Sequence, residues 1–342
     1  MRLSLICLIF AFSSCRVFAE TPVIRAKPVT LLFAGDTTLD STPGALIKRG
    51  IDPFKSFSPL FADADIRLLN LECVVATTGQ AEPKHYTFRA APQVLQTLKR
   101  HADGVTLANN HSGDYGREAF AQMLSLLAKN KIAQAGGGMN LSEAHTPWMV
   151  ERNGIRIAIL SYNEFMPRSY EAGPHTPGVA WSEDEQVVDD IRRARRIYQA
   201  DIVLPFMHWG WENEPKANLR QRQLAKKMID AGADAIIGGH PHVTQDLEIY
   251  KGKPIIYSVG NFIMKETDND QQRVGWVLRL NIEKTGVNGF DTHVARINQD
   301  GVPSYDKKTP SPCWTNTWPQ ERMCLAGDAL TNESKAIRAD FR

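Results

Sequence analysis

Long apolar runs are scarce in this sequence, and so are cysteine, charge of one sign and internal repetition. The one extended apolar run near the start, Leu3 to Phe12, breaks at Ser13 and Ser14. That is well short of the about 18 apolar residues a spanning helix needs, so an uncleaved membrane anchor is not expected there. Forty Lys and Arg against 38 Asp and Glu leave a net charge of +2, which does not mark a nucleic-acid binder. The one basic cluster, Arg192, Arg193, Arg195 and Arg196, falls in a stretch of helical character and reads as a solvated face, so no nucleic acid is expected as partner. Cysteines number five, and only Cys73, Cys313 and Cys324 lie beyond the N-terminal segment. They allow one disulfide and leave an odd thiol. No repeat or low-complexity tract is visible, which leaves punctuation as the guide to organisation.

What is present is enough for a sizeable core: 43% hydrophobic residues in a chain of 342, long enough for one large domain or two ordinary ones. The opening MRLSLICLIFAFSSCRVFA combines a basic Arg2, an apolar stretch and a small residue at Ala19. It reads as a secretory signal cleaved after Ala19, and the mature protein is expected to be exported, periplasmic or extracellular. A lipoprotein signal ending at Cys15 is the weaker alternative, because the preceding FSS matches the usual lipobox poorly. In an oxidising compartment Cys313 and Cys324, which close a short loop, are expected to pair. Cys73 follows an apolar run and reads as a small buried side chain.

Short apolar runs of buried-strand length recur: VTLLFAG, IRLLNLE, GVTLAN, IRIAILSY, DIVLPFMHW, ADAIIGG, KPIIYSVGN and RVGWVLRLNIE. Between them, REAFAQMLSLLAKN carries Phe120, Met123, Leu124, Leu127 and Ala128 at helical spacing. A charged helix is expected over about 182–200, and another over LRQRQLAKKMIDAG, stopped at Gly232. Strands alternate with helices first and follow strands late, which indicates an α/β core whose sheet gains antiparallel members toward the C-terminus. One domain is expected over 20–300, preceded by the signal at 1–19. The segment 301–342 shows no period and is expected to wrap the surface as a tail.

The residues that stop these runs are chemically selective. Asp36 follows LLFAG; Asn70 and Glu72 close LLNLE; Asn109, Asn110, His111 and Asp114 follow VTLA. His208 and Glu212 follow LPFM, His240 and His242 follow AIIGG, and Asn261 follows IIYSVG. Any one of them alone is as well explained as a cap or a core histidine satisfied by backbone. Sites in open α/β sheets assemble outside the carboxyl ends of the strands, so together they point to one constellation. Mixed imidazole, carboxylate and amide donors suit divalent zinc, manganese or iron. In GGHPHVTQ the proline fixes its own φ and biases His240 toward extended backbone, making His240 and His242 a fork rather than helix neighbours. His85, His101, His145, His175 and His293 fall outside the pattern and read as structural or surface residues.

Taken in order, AGDTTLD, NLECVV, YTFRAAP, LANNHSGDYG, FMHWGWENE, GGHPHVTQ and YSVGNFI resemble the CapA family associated with poly-γ-glutamate capsule synthesis. That family looks like an outlying branch of the calcineurin-like metallophosphoesterases. The resemblance implies a layered α/β sandwich with mixed sheets around a site for one or two divalent metal ions (Mn, Zn or Fe). It implies Asp36, bridging Glu72, Asn110, His208, His240 and His242 as ligands, and His111 as a catalytic group that does not bind metal; Asp114, three residues on, is a carboxylate of the kind that orients such a histidine through its other ring nitrogen. Where the first motif of that superfamily ordinarily has histidine two residues after the aspartate, this chain has Thr38, so one ion loses a nitrogen ligand.

Lys84, Tyr86 and Arg89 in KHYTFRAAP are candidates for binding substrate, as is Glu212 after HWG. Arginine suits carboxylate and phosphate alike, so the expected partner is an anionic polymer such as poly-γ-glutamate, or a phosphoester. Two functions stay open: an exported metal-dependent hydrolase, or a non-catalytic binding or assembly component working with membrane capsule-synthesis proteins.

Overall fold

The computed structural model describes residues 27–326. The expected signal segment and its cleavage point therefore lie outside the described residues, as does the end of the chain. Two mixed sheets stack face to face, with helices on both outer surfaces, which is the layered α/β sandwich expected. Across the larger sheet the order is Arg322–Cys324, Ser311–Thr315, Gly286–Ile297, Val274–Glu283, Val29–Thr37, Ile66–Leu71, Gly104–Thr106 and Ala133–Ala135. The smaller sheet runs Leu247–Tyr250, Lys253–Ile256, Ile236–Gly239, Ile202–His208, Ile155–Asn163 and Trp148–Arg152. Each sheet has a parallel block, with antiparallel neighbours added beside it.

Period-two alternation assigns each strand's side chains to two different cores. In VTLLFAG, Leu31 and Phe33 enter the space between the sheets, where they meet Ile157, Leu204, Phe206 and Ile237. Leu32 and Ala34 face the other way, toward Val94, Leu98, Phe120, Met123 and Leu127 of the helices Val94–His101 and Gly116–Lys129. On the far side, Leu160, Val203 and Met207 pack under Val187, Ile191, Leu224 and Met228 of Asp184–Arg196 and Leu219–Ala231. The last of these helices starts with a capping box between Asn218 and Gln221 and stops at Gly232, whose φ of 120° excludes ordinary side chains. Phe33 and Phe206 stack across the sheet interface with centroids 4.8 Å apart, both essentially buried. Phe206→Ala is expected to cost about 3–5 kcal/mol, read as a lower midpoint in urea at unchanged slope.

The segment after Asp300, for which the sequence shows no period, contains regular structure up to Cys324. Pro303–Asp306, Ser311–Thr315 and Arg322–Cys324 extend the larger sheet as short antiparallel strands. Strands this short cannot display a period; the first two pair with Gly286–Ile297 and the third with Ser311–Thr315, which supplies what the sequence pattern lacks. Cys313 and Cys324 are joined, with Cα atoms 5.9 Å apart. Mass mapping of nonreduced peptides is expected to return that pair, and its removal to cost about 3 kcal/mol in the chain-entropy account. Cys73 is fully buried, and burial pushes its thiol well above the usual range. It is expected to resist alkylation in the native protein and to react only after unfolding; rapid native labelling would contradict its packing. Among the described residues no helix is long and apolar enough to cross a membrane.

Candidate metal centre

Parallel strands place their carboxyl ends side by side, and register brings the polar stops together. Asp36 pairs with Asn261 on one side and Asn70 on the other, with shifts in register around Asp36 that re-aim its side chain. His208 pairs with Gly239 and with Asn163. Gly239 is needed there: a Cβ on it would lie 2.6 Å from Asp36 Oδ1.

The geometry around His208 is crowded with donor atoms. Its Nε2 lies 2.7 Å from Asn110 Oδ1, 3.2 Å from His240 Nδ1 and 3.4 Å from Glu72 Oε1. Only one hydrogen can sit between two imidazole nitrogens, so these groups present more lone pairs than protons. Among the described residues, both oxygens of buried Glu72 and Nε2 of fully buried His240 find no hydrogen-bond partner. Leaving such groups unmatched costs about 1–3 kcal/mol each, more for a charged one. A divalent cation would satisfy them, so the residues fit a metal. Two three-residue sets share Glu72, namely Glu72, His208 and His240, and Asp36, Glu72 and His242; in each, one donor atom per residue lies within 4.8 Å of the others.

The orientation of these side chains is fixed from behind. Asn70 Nδ2 donates to Asp36 Oδ1 at 2.8 Å and lies 3.3 Å from His208 Nδ1. Asn109 Nδ2 donates to Asn70 Oδ1 at 3.1 Å, and Asn261 Oδ1 lies 2.8 Å from His242 Nδ1. Burial would raise the Asp36 carboxyl, yet the hydrogen bond and charge of His242, with His208 and Asn70, hold it below the usual range. Burial, with the neighbouring histidines, keeps His240 well below its usual value and hence neutral, the form that binds metals. His242 goes the other way: burial opposes its charge, but Glu72, Asp36 and Glu212 raise it to about 10.

The His-Pro-His fork differs from the extended one expected. His240 has φ 92° and His242 φ 58°, a region costly for residues with a side chain. The turn lets the backbone N–H of His240 donate to Asp36 Oδ2 at 3.0 Å, a bond that extended backbone ahead of the proline does not account for.

His111 stands beside this group. Its Nδ1 lies 2.7 Å from Asp114 Oδ2, which fixes the tautomer and leaves Nε2 to serve the pocket that His111 lines. Asp114 also accepts from Phe88 N at 2.8 Å and from Lys84 Nζ at 2.5 Å. Lys84 is therefore engaged behind the histidine, not free to meet substrate. Arg89 is not brought to the pocket at all: its guanidinium stacks 4.2 Å from the Tyr115 ring centre and donates to the carbonyls of Thr78 and Gly79. Tyr86 and Glu212 do line the mouth, with Phe88, His242 and Met264.

The rest of that rim was not foreseen. Glu266, Asp268 and Gln272, from the segment after the Asn261–Ile263 strand, complete it, so the mouth is acidic. Phe165 packs its ring 3.8 Å from that of His240; it sits in a loop, and nothing in the sequence marks it. Thr38, where a ligand histidine was missing, turns its hydroxyl to the Glu72 carbonyl at 3.3 Å and Met264 Sδ at 3.5 Å. Among the other histidines, His101 is held by Asp52 and His145 by Asp190, both at 2.7 Å, and His293 by the Tyr305 hydroxyl at 2.5 Å.

Fold and site together define a four-layer α/β protein with a donor-lined pocket at its strand ends. The family model described as bacterial capsule synthesis protein PGA_cap matches residues 30–266, which contain every donor named above. The PGA biosynthesis protein CapA of Bacillus subtilis (strain 168) is 32% identical over 292 residues, 82% of this chain and 76% of that protein. The capsule biosynthesis protein CapA of Bacillus anthracis is 30% identical over 262 residues, 73% of this chain and 64% of its own length. The chain belongs to the PGA_cap family of bacterial capsule synthesis proteins, as the ordered motifs implied. Among solved structures, the NAD nucleotidase of Haemophilus influenzae aligns over 82% of this chain and 54% of its own at 12% identity and a TM-score of 0.48, a distant likeness that adds nothing to the assignment.

Proposed function

We propose that this chain is an exported, metal-dependent hydrolase of capsule synthesis or processing, acting on an anionic polymer such as poly-γ-glutamate or on a phosphoester. The observation that carries the reading is the buried, unpartnered donor set of Glu72 and His240 converging with Asp36, Asn110, His208 and His242. Manganese, zinc or iron suit these oxygen and nitrogen donors. What such ions supply when bound is Lewis acidity: activation of water at neutral pH and charge to meet an anionic oxygen.

That last contribution is needed, because Lys84 and Arg89 are occupied elsewhere and the rim offers Glu212, Glu266 and Asp268. His111, with its Nδ1–H held by Asp114, presents Nε2 to the pocket, and as the imidazolium it would give the Nε2 proton to the departing oxygen or nitrogen and be left as the neutral ring. Lys84 offsets the charge of Asp114 and so fixes the pair in place. The Cys313–Cys324 bridge supports export, since disulfides persist in oxidising compartments. Membrane capsule-synthesis proteins are the expected partners of such a component.

A non-catalytic binding or assembly role is the second reading, favoured by Thr38 in place of a ligand nitrogen. The test offers γ-linked glutamate oligomers and model phosphodiesters to the metal-loaded protein. Cleavage of either supports the hydrolase; cleavage of neither at full metal occupancy moves the assembly role ahead.

A further inference from the structure

A third donor set overlaps the two described above: Glu212, His240 and His242 also bring one donor atom each within 4.8 Å. We propose that Glu212 is a metal ligand, closing the centre from the solvent side with an oxygen where Thr38 withholds a nitrogen. The inference rests on the reading that the site holds divalent ions, and goes beyond it by adding a donor from the loop after Ile202–His208.

An exposed carboxylate is by itself no evidence of a ligand, and two further observations distinguish this one. Fully buried His240, which belongs to the same set, has no partner for its Nε2 among the described residues. The Glu212 backbone, moreover, is stitched to the histidine fork on both sides. Trp209 N donates to Gly239 O at 3.2 Å, and Asn213 N donates to Pro241 O at 2.9 Å. Asn213 Oδ1 in turn accepts from Gln272 Nε2 at 3.0 Å and Asn269 Nδ2 at 2.6 Å, tying the loop to the opposite rim. The left-handed backbone of Gly210 (φ 87°) and Asn213 (φ 65°) brings the chain back over His240 and His242. Glu212 is thus an exposed side chain on a base held by hydrogen bonds. Thr38, the position from which a nitrogen would be expected, points its hydroxyl proton at a carbonyl and a thioether and offers the centre no nitrogen. A carboxylate in place of an imidazole also hardens the donor set, which favours manganese or iron relative to zinc.

The experiment titrates metal-stripped full-length protein with manganese, following free Mn²⁺ by its electron paramagnetic resonance signal. It compares the wild type with Glu212→Gln, Glu212→Asp and Glu214→Gln, the last being an exposed acid two positions on. Glu212→Gln is expected to weaken one ion by about 10–100-fold, at least what loss of an outer partner costs; Glu212→Asp is expected to recover part of it. Glu214→Gln should match the wild type, and melting of the stripped proteins should be the same for all four. A wild-type isotherm for Glu212→Gln overturns the proposal while leaving the metal centre standing, and so does an equal loss in Glu214→Gln, which would mean bulk charge. A wild type that binds no manganese, and no zinc or iron in the same titration, overturns both.

Discussion

His111→Ala is expected to keep its metal and lose about 10²–10⁴ in turnover, the usual worth of a general acid or base. The neighbouring Asn110→Ala is expected to fail differently, losing metal first. The contrast follows from geometry. Asn110 Oδ1 lies 2.7 Å from His208 Nε2, inside the donor cluster, whereas His111 spends its Nδ1 on Asp114 and belongs to none of the three-donor sets. His111 is nearly buried, so alanine could disturb Asp114; His111→Gln, which keeps an amide near that carboxylate, separates lost packing from lost proton transfer. Both rate and bound metal are to be recorded for each variant, with manganese or zinc supplied. Full turnover in His111→Ala would remove its assigned role.

The second large effect concerns the fork. His240 belongs to two of the donor sets and His242 to two, so together they reach every cluster in the centre. Replacing both by alanine is expected to abolish metal binding while leaving a folded chain. The reason folding survives is that the fork contributes little to the cores: His240 and His242 sit at strained positive φ and contact one another, Phe165, His208 and the acids of the site. Removal of the unpartnered His240 Nε2 offsets part of the lost packing. Far-ultraviolet circular dichroism and a urea melt check the fold, and elemental analysis checks the metal. Wild-type metal content in the double variant would place the ions elsewhere.

The sequence made some of this legible and left other parts hidden, for physical reasons. Strand ends can be read because a polar residue after a short apolar run is visible without knowing its partners; Asp36, Glu72, Asn110, His208, His240 and His242 are among the residues so marked, and the family resemblance singles them out as ligands. Their convergence followed from the rule that parallel strands align their carboxyl ends. What a long side chain does was not legible: Lys84 and Arg89 each sit close in sequence to the mouth residue Tyr86, yet one turns to Asp114 and the other to Tyr115. The positive φ of His240 was hidden too, because it is set by a hydrogen bond to Asp36, 204 residues away. Short edge strands such as Arg322–Cys324 carry no period and exist only through their neighbours. Phe165 and the acids at 266 and 268 reach the site from loops, whose paths no local pattern dictates.

The central claim is that the strand-end donors hold divalent metal, and elemental analysis of protein purified without added metal or chelator tests it most directly. One or two equivalents of manganese, zinc or iron per chain, absent from the His240→Ala, His242→Ala variant prepared alongside, is the result expected. Protein that is folded and metal-free, and that takes up none of the three ions when they are supplied, would contradict it.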